Sequence, residues 1–192
     1  MDPPDRGRTG IHHWRRNHGI AAVGHVIHFG SSSWLGNIIV REGFRKQGLG
    51  TIVTKSLISL CRSGQPILLV ATEMGFRVYS KLGFTTSSTY CFFRGGTVDG
   101  KGLLNVKPAT QDDSSLILNL DEQVTGETRG WLLLKHLSSA LVIKHPDNGD
   151  LRGFYLPDCG AGTIAATDTE AGIELLKYKL YHHPEKQLCI PE

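Results

Sequence analysis

Val40-Arg41-Glu42-Gly43-Phe44-Arg45-Lys46-Gln47-Gly48-Leu49-Gly50-Thr51 is the stretch that decides the reading of this chain. An apolar run, Trp34-Leu35-Gly36-Asn37-Ile38-Ile39-Val40, leads into it. Thr51-Ile52-Val53-Thr54-Lys55-Ser56-Leu57-Ile58-Ser59-Leu60 follows. That order predicts a strand, a basic glycine loop and a helix. The first N–H groups of a helix have no intrahelical partner and carry the positive end of the helix dipole, so a helix start attracts phosphate. Gly48 and Gly50 lack a Cβ, which lets the backbone come close to a ligand. Arg45 and Lys46 add charge, and Gln47 adds donors. The segment suits a phosphorylated ligand, although an ordinary exposed turn has a similar composition.

Two phosphate loops fit poorly. No run of Gly, four residues and Gly-Lys-Ser/Thr exists, and Gly43, Gly48 and Gly50 lack the dinucleotide spacing, with only Glu73 near Val70 as an acid. The spacing Val40, Arg45, Gly48, Gly50 reads V-x4-R-x2-G-x-G. It resembles the acetyl-CoA signature of the GCN5-related N-acetyltransferases, in which the loop amides hold the pyrophosphate of coenzyme A.

Downstream, Pro66-Ile67-Leu68-Leu69-Val70-Ala71 reads as a short buried strand. Met74, Val78 and Leu82 recur at helical spacing, and Gly83 suits a C-terminal cap. Tyr79-Ser80-Lys81-Leu82-Gly83-Phe84 is similar to the Y-x-K-x-G-F element of the same family. There it ends the helix beside the cofactor and starts the next strand, expected here over 85–94. The resemblance covers about residues 20 to 94.

With 192 residues the chain can bury a good core in one large or two small domains. A net charge of +3 fits an anionic cofactor and gives no case for nucleic acid. No apolar run is long enough to span a membrane, and the N-terminus lacks a signal-peptide core. Cys61, Cys91, Cys159 and Cys189 form no C-x-x-C pair, which argues against a metal site and for reduced thiols in a cytoplasmic protein.

Four segments are expected: an irregular stretch over 1–18, a coenzyme-binding domain over 19–96, a glycine-rich linker over 97–103 and a second domain over 104–192. Ala21–Phe29 reads as a strand after a turn at Asn17-His18-Gly19, with His25 and His28 filling a face rather than binding metal. In the second half, Leu104–Val106 reads as a strand, and Thr110 as the N-cap of a helix with Asp113 at its third position. A helix over Trp131–Leu137 follows, then strands over Ala140–Lys144, Leu151–Leu156 and Gly162–Ala166, a helix over Ala171–Tyr181 and a strand at Leu188–Ile190. Glu127 and Arg129 read as surface pairs or acceptor contacts, and His182-His183 as an exposed turn.

The resemblance implies an α/β (α+β) fold, a mixed and mostly antiparallel acyltransferase sheet flanked by helices, in two tandem copies that are both incomplete. A complete first domain would begin with a strand and two helices, so the chain reads as a piece of a longer enzyme or a short form. In the second copy the loop position is taken by Ala165-Ala166-Thr167-Asp168-Thr169-Glu170, whose acids repel pyrophosphate.

The resemblance also implies the chemistry. Acetyl-CoA would donate its acetyl group to a small-molecule amine or amino acid by direct attack in a ternary complex. Ile38, Ile39 and Val40 would orient the pantetheine arm. Arg45, Lys46, Gln47, Gly48, Leu49, Gly50 and Thr51 would hold the phosphates. Tyr79 would be the general acid for the leaving thiolate, with Lys81 beside the cofactor. Glu73 is a candidate base, or a first-turn acid that favours the helix dipole. A non-catalytic coenzyme-binding fragment is the alternative, and a homodimer is admitted.

Overall fold

The computed structural model describes residues 9–16, 19–93, 98, 100 and 103–191. The chain divides into two compact units, Met1–Ser87 and Ser88–Glu192.

In the first unit, β1 (Thr9–Arg16), β2 (Gly19–His28), β3 (Ser33–Val40) and β4 (Ile67–Leu68) form one sheet in that order. The first three strands are antiparallel, and β4 runs parallel to β3. A parallel neighbour requires a crossover, and α1 (Leu49–Ile58) supplies it. Leu49, Val53 and Leu57 pack on Ala21, Ala22, Val26 and Leu35 to make the core. Gly24 of β2 lies under this helix. A Cβ there would stand 2.8 Å from Leu57 Cδ1 and 2.9 Å from Val53 Cγ1, so the close approach requires glycine. The unit ends with α2 (Glu73–Lys81), none of whose residues is buried.

Three expectations for residues 1–94 are corrected. Residues 9–16 are a strand and not irregular: their polar, histidine- and arginine-rich composition hides a segment that pairs along β2 from Thr9↔Ile27 to Arg16↔Gly19. The Asn17-His18 turn lies outside the described residues. The 66–71 run pairs only at Ile67 and Leu68, both half-buried, so its apolar character reflects packing beyond the ladder. The 85–94 strand shrinks to β5 (Tyr90–Phe93), because residues 85–89 are small, polar and exposed and give a strand no face to bury.

In the second unit, β5 pairs antiparallel with β10 (Leu188–Pro191). A separate sheet has the order β6-β7-β8-β9: β6 (Lys107–Pro108), β7 (Leu141–Lys144), β8 (Leu151–Leu156) and β9 (Thr163–Ala166). Around it lie α3 (Asp113–Thr125), α4 (Gly130–Leu133) and α5 (Thr169–His182). Ile117, Leu120, Leu133, Val142, Phe154 and Leu156 form its core.

Here too the expectations shift. Leu103–Asn105 is a 3-10 turn, and the strand begins after it at Lys107. The 131–137 helix stops at Leu133, where the bonding tightens to the i→i+3 pattern of His136 N–H to Leu133 O (2.8 Å). Thr110 is not an N-cap. The helix starts at Asp113, whose carboxylate accepts from Thr110 N–H (2.8 Å) and from its hydroxyl (2.9 Å). The 95–102 linker falls largely outside the described residues.

Candidate functional site

β3 and β4 pair only at Ser33↔Ile67 and Trp34↔Leu68. β3 nevertheless continues to Val40, held on its other edge by β2 up to Ala22↔Val40. The parallel ladder therefore ends at Trp34, and among the described residues no strand pairs with the β3 edge from Leu35 to Val40. Asn37 sharpens the split. Its φ is +47°, and between Val23↔Ile39 and His25↔Gly36 two residues of β3, Asn37 and Ile38, face the single Gly24 of β2. This is a bulge, which bends the strand and re-aims its side chains.

The glycine loop follows the split edge. Residues Glu42–Phe44 form a 3-10 turn, and Arg45 Nε donates to Val40 O (3.2 Å), tying the loop back to the strand end. Lys46 (φ +61°) and Gly48 (φ +80°) turn the backbone into α1. Gly48 is the N-cap and offers no side-chain cap. The first helical bond in α1 is Ile52 N–H to Gly48 O (3.1 Å), so the N–H groups of Leu49, Gly50 and Thr51 precede it. No acid lies in this first turn. Arg45, Lys46, Gln47 and Gly48 are exposed.

The glycines leave space. A Cβ on Gly48 would meet nothing within 4 Å. One on Gly50 would only touch Val40 Cγ2 (3.9 Å) and Val78 Cγ2 (4.0 Å), so the fold itself does not demand glycine there. A Cβ there would stand between Val40 and Val78, next to the helix start that has no side-chain cap. Gly50 also marks where the end of β3, the start of α1 and the middle of α2 converge. This fits an anionic group such as a pyrophosphate, held by backbone amides with Arg45 and Lys46 beside them.

Tyr79 is adjacent to Val78 on α2. It is half-buried, and burial pushes its phenol pKa up. Gly75 makes room for the ring: a Cβ there would be 2.8 Å from Tyr79 Cε2. The helix then ends in a Schellman motif, with Gly83 at φ +91°, Gly83 N–H bonded to Ser80 O (3.2 Å) and Phe84 N–H bonded to Tyr79 O (3.1 Å). Lys81 lies exposed in the last turn. Glu73 lies exposed in the first turn, after the Thr72 cap. Glu73 and Tyr79 are six positions apart, which is about 9 Å along the axis and about 120° around it. The helix therefore does not present the two on one face.

A cleft of about 400 Å³ opens at the split, lined by His25, Ile27, Phe29, Trp34, Leu35, Gly36, Asn37 and Val70. His25 is half-buried and lies over Gly36, where a Cβ would be 2.7 Å from its Nε2. Sequence reasoning gave His25 only a face-filling role. The signal it lacked is the register that sets His25 opposite Gly36.

The start of α5 in the second unit differs. Asp168 caps α5 with its own carboxylate, accepting from Ala171 N–H (2.9 Å). Arg152 grips the same carboxylate in a fork (2.9 and 2.7 Å) and also reaches Glu170 (2.7 Å). The Arg152 bonds hold the Asp168 pKa down at about 2. An anion already occupies this helix terminus. Arg129 is likewise committed within the fold, forking onto the buried Asp121 at 2.7 Å through both nitrogens. His183 follows α5 and packs edge-on to Tyr155, with ring centroids 6.0 Å apart. Among the described residues no helix is long and apolar enough to cross a membrane.

Residues 10–93 match the family described as FR47-like protein. No curated protein matches the sequence. Among solved structures, a protein from Pyrococcus horikoshii assigned as an acetyltransferase superposes with a TM-score of 0.65 at 19% identity, covering 90% of this chain and 60% of its own. A tandem GNAT protein from the clavulanic acid biosynthesis pathway gives 0.56 at 11% identity, over 99% of this chain and 76% of its own. A GCN5-related N-acetyltransferase from Sphaerobacter thermophilus gives 0.54 at 14% identity, over 90% and 68%. At these identities the likeness is one of fold, and this chain spans about three-fifths of the Pyrococcus protein.

Proposed function

We propose, from the premise that residues 10–93 match the FR47-like family and that the chain has the fold of the GCN5-related N-acetyltransferases, that this protein transfers the acetyl group of acetyl-CoA to the amine of a small molecule. The single observation that carries this reading is the uncapped, acid-free start of α1 under Gly48 and Gly50, at the foot of a split between parallel strands. It is a place for a phosphate followed by a slot for an extended chain.

Each residue then has a task. The amides of Gly48, Leu49, Gly50 and Thr51 receive the pyrophosphate, and Arg45, Lys46 and Gln47 flank it. The strand edge from Ile38 to Val40 aligns the pantetheine arm by backbone hydrogen bonds, as a neighbouring strand would be aligned. Bound there, acetyl-CoA supplies an activated acyl group, and holding it still beside the amine removes much of the entropic barrier. Tyr79 holds the proton needed by the departing sulfur. A phenol titrates near pH 10, and burial pushes Tyr79 further up, so it stays protonated at neutral pH. Lys81, one turn-end further on, adds a cation on the same helix.

Direct attack in a ternary complex needs no covalent enzyme intermediate. Half-buried Cys61 suits this reading, since burial raises its thiol pKa and its Sγ–H donates to Leu57 O (3.3 Å). The second unit is read as a further, loop-less copy of the fold. A thiol-release assay with acetyl-CoA and an amine panel tests the activity. Turnover supports an enzyme, and coenzyme binding with no turnover on any amine supports a binding module instead.

A further inference from the structure

We propose that the cleft at the β3–β4 split is the acceptor site, that it takes an amine with an apolar or aromatic body, and that His25 accepts the proton of its ammonium group. This rests on the acetyl-transfer reading above. The cleft has the size of a small-molecule site, about 400 Å³. It opens where the β3–β4 ladder ends, with Trp34, Gly36 and Asn37 on one side and Val70 on the other. An acyl group delivered along the Ile38–Val40 edge would meet an acceptor held here.

The lining selects by chemistry. Among the described residues it contains Ile27, Phe29, Trp34, Leu35 and Val70, and no Asp, Glu, Lys or Arg. A phosphorylated amine would find no countercharge. A polyamine would have to desolvate its additional ammonium groups beside apolar side chains, which is costly. One ammonium is accommodated, because the face of an indole such as Trp34 attracts a cation.

Among the described residues His25 is the ionisable group of this lining, and Gly36 gives it its place by having no side chain under the ring. Imidazole is the side chain whose ordinary titration lies near neutrality, which suits it to take a proton from an ammonium. On the same face of the sheet, β1 presents His13, paired with Val23 two residues from His25. β3 presents Trp34, Gly36 and Asn37 and the segment after β4 presents Val70, none of which titrates.

The step balances. His25 takes one proton from R–NH3+, and the freed lone pair forms the C–N bond at the acyl carbon. The bond broken is the thioester C–S, and the sulfur takes the Tyr79 proton. The second nitrogen proton restores the phenol, and the imidazolium returns its proton to water.

The test is an NMR titration of wild-type protein with histidine labelled at Cε1, using 2-phenylethylamine and, separately, spermidine, each with and without acetyl-CoA. The expected result is a saturable shift of the His25 resonance with phenylethylamine and none with spermidine. His25→Gln is expected to lower kcat at pH 7 by about 10²-fold, to leave acetyl-CoA affinity unchanged and to remove the acidic limb of the rate profile. A His25 resonance that does not move in either condition, or that moves equally with spermidine, overturns the proposal even if the variant fails to fold. So does a folded variant that keeps the wild-type rate and acidic limb. Calorimetry with acetyl-CoA on the same sample separates the failures: no coenzyme binding ends the acetyl-transfer reading, whereas binding with a silent His25 ends only the acceptor-site assignment.

Discussion

The rings of Tyr79 and Phe84 meet edge to face, with centroids 6.0 Å apart at an angle of 67°. The contact closes the Schellman end of α2, with Tyr79 three residues before the cap and Phe84 two after it. The motif Tyr79-Ser80-Lys81-Leu82-Gly83-Phe84 is thus a capping device that fixes the direction of one phenol. Phe84→Ala should cost about 1 kcal/mol from the lost ring pair and lower kcat more than it raises the KM for acetyl-CoA. Tyr79→Phe keeps the ring contact, so it should fold normally and bind coenzyme normally while kcat falls by about 10²-fold. Thermal melts and steady-state kinetics on both variants check this; equal turnover in Tyr79→Phe would remove its role as acid.

Gly50 separates stability from binding. Its Cβ would make only ordinary contacts, and its φ is not in the left-handed region. Gly50→Ala should therefore stabilise α1 by about 0.5 kcal/mol through helix propensity. It should also weaken acetyl-CoA by about tenfold or more, because the methyl group occupies the cradle over the helix start. A raised Tm with weakened binding is the expected pair of results. Unchanged affinity would mean that the phosphate does not lie there.

The Gly24 position carries the opposite expectation. A methyl group 2.8 Å from Leu57 and 2.9 Å from Val53 forces α1 off the sheet. Gly24→Ala should cost about 1–3 kcal/mol by overpacking, and a denaturant melt reads it directly.

Asp168 predicts a pH dependence. Its pKa is lowered to about 2, first by the Arg152 hydrogen bonds and then by the Ala171 amide. A carboxylate with a depressed folded pKa stabilises above its unfolded value of about 4, and that stabilisation is lost as pH falls from about 4 towards 2. Asp168→Ala should cost about 1 kcal/mol at pH 7, mainly as a lost N-cap, and the gap to wild type should narrow below pH 4. A gap independent of pH between 7 and 3 would contradict the ionic part of the cap.

Much of this was legible in the chain because it rests on local chemistry. The strand–loop–helix order around Gly48 and Gly50 and the cap at Gly83 depend on φ and on near-neighbour hydrogen bonds, which residue types encode directly. Residues 9–16 were not legible, since a strand made of histidines, a tryptophan and arginines is stabilised by its pairing with β2 rather than by its own pattern. The β3–β4 split was hidden because apolar character in residues 66–71 says nothing about where a ladder stops. Asn37 entering the left-handed region, and so His25 reaching the cleft, follows from a bulge that depends on register between strands. Arg129 read as a surface pair or an acceptor contact, and its partner was hidden because Asp121 lies eight residues back on α3 and is buried.

The central claim is that the first unit holds coenzyme A at the start of α1 and that the Asp168-capped helix of the second unit does not. Isothermal titration of the chain with acetyl-CoA tests it most directly. The account predicts one site per chain, with affinity strongly reduced in Gly50→Ala and unaffected in Asp168→Ala. No binding heat, or two equivalent sites per chain, would contradict it.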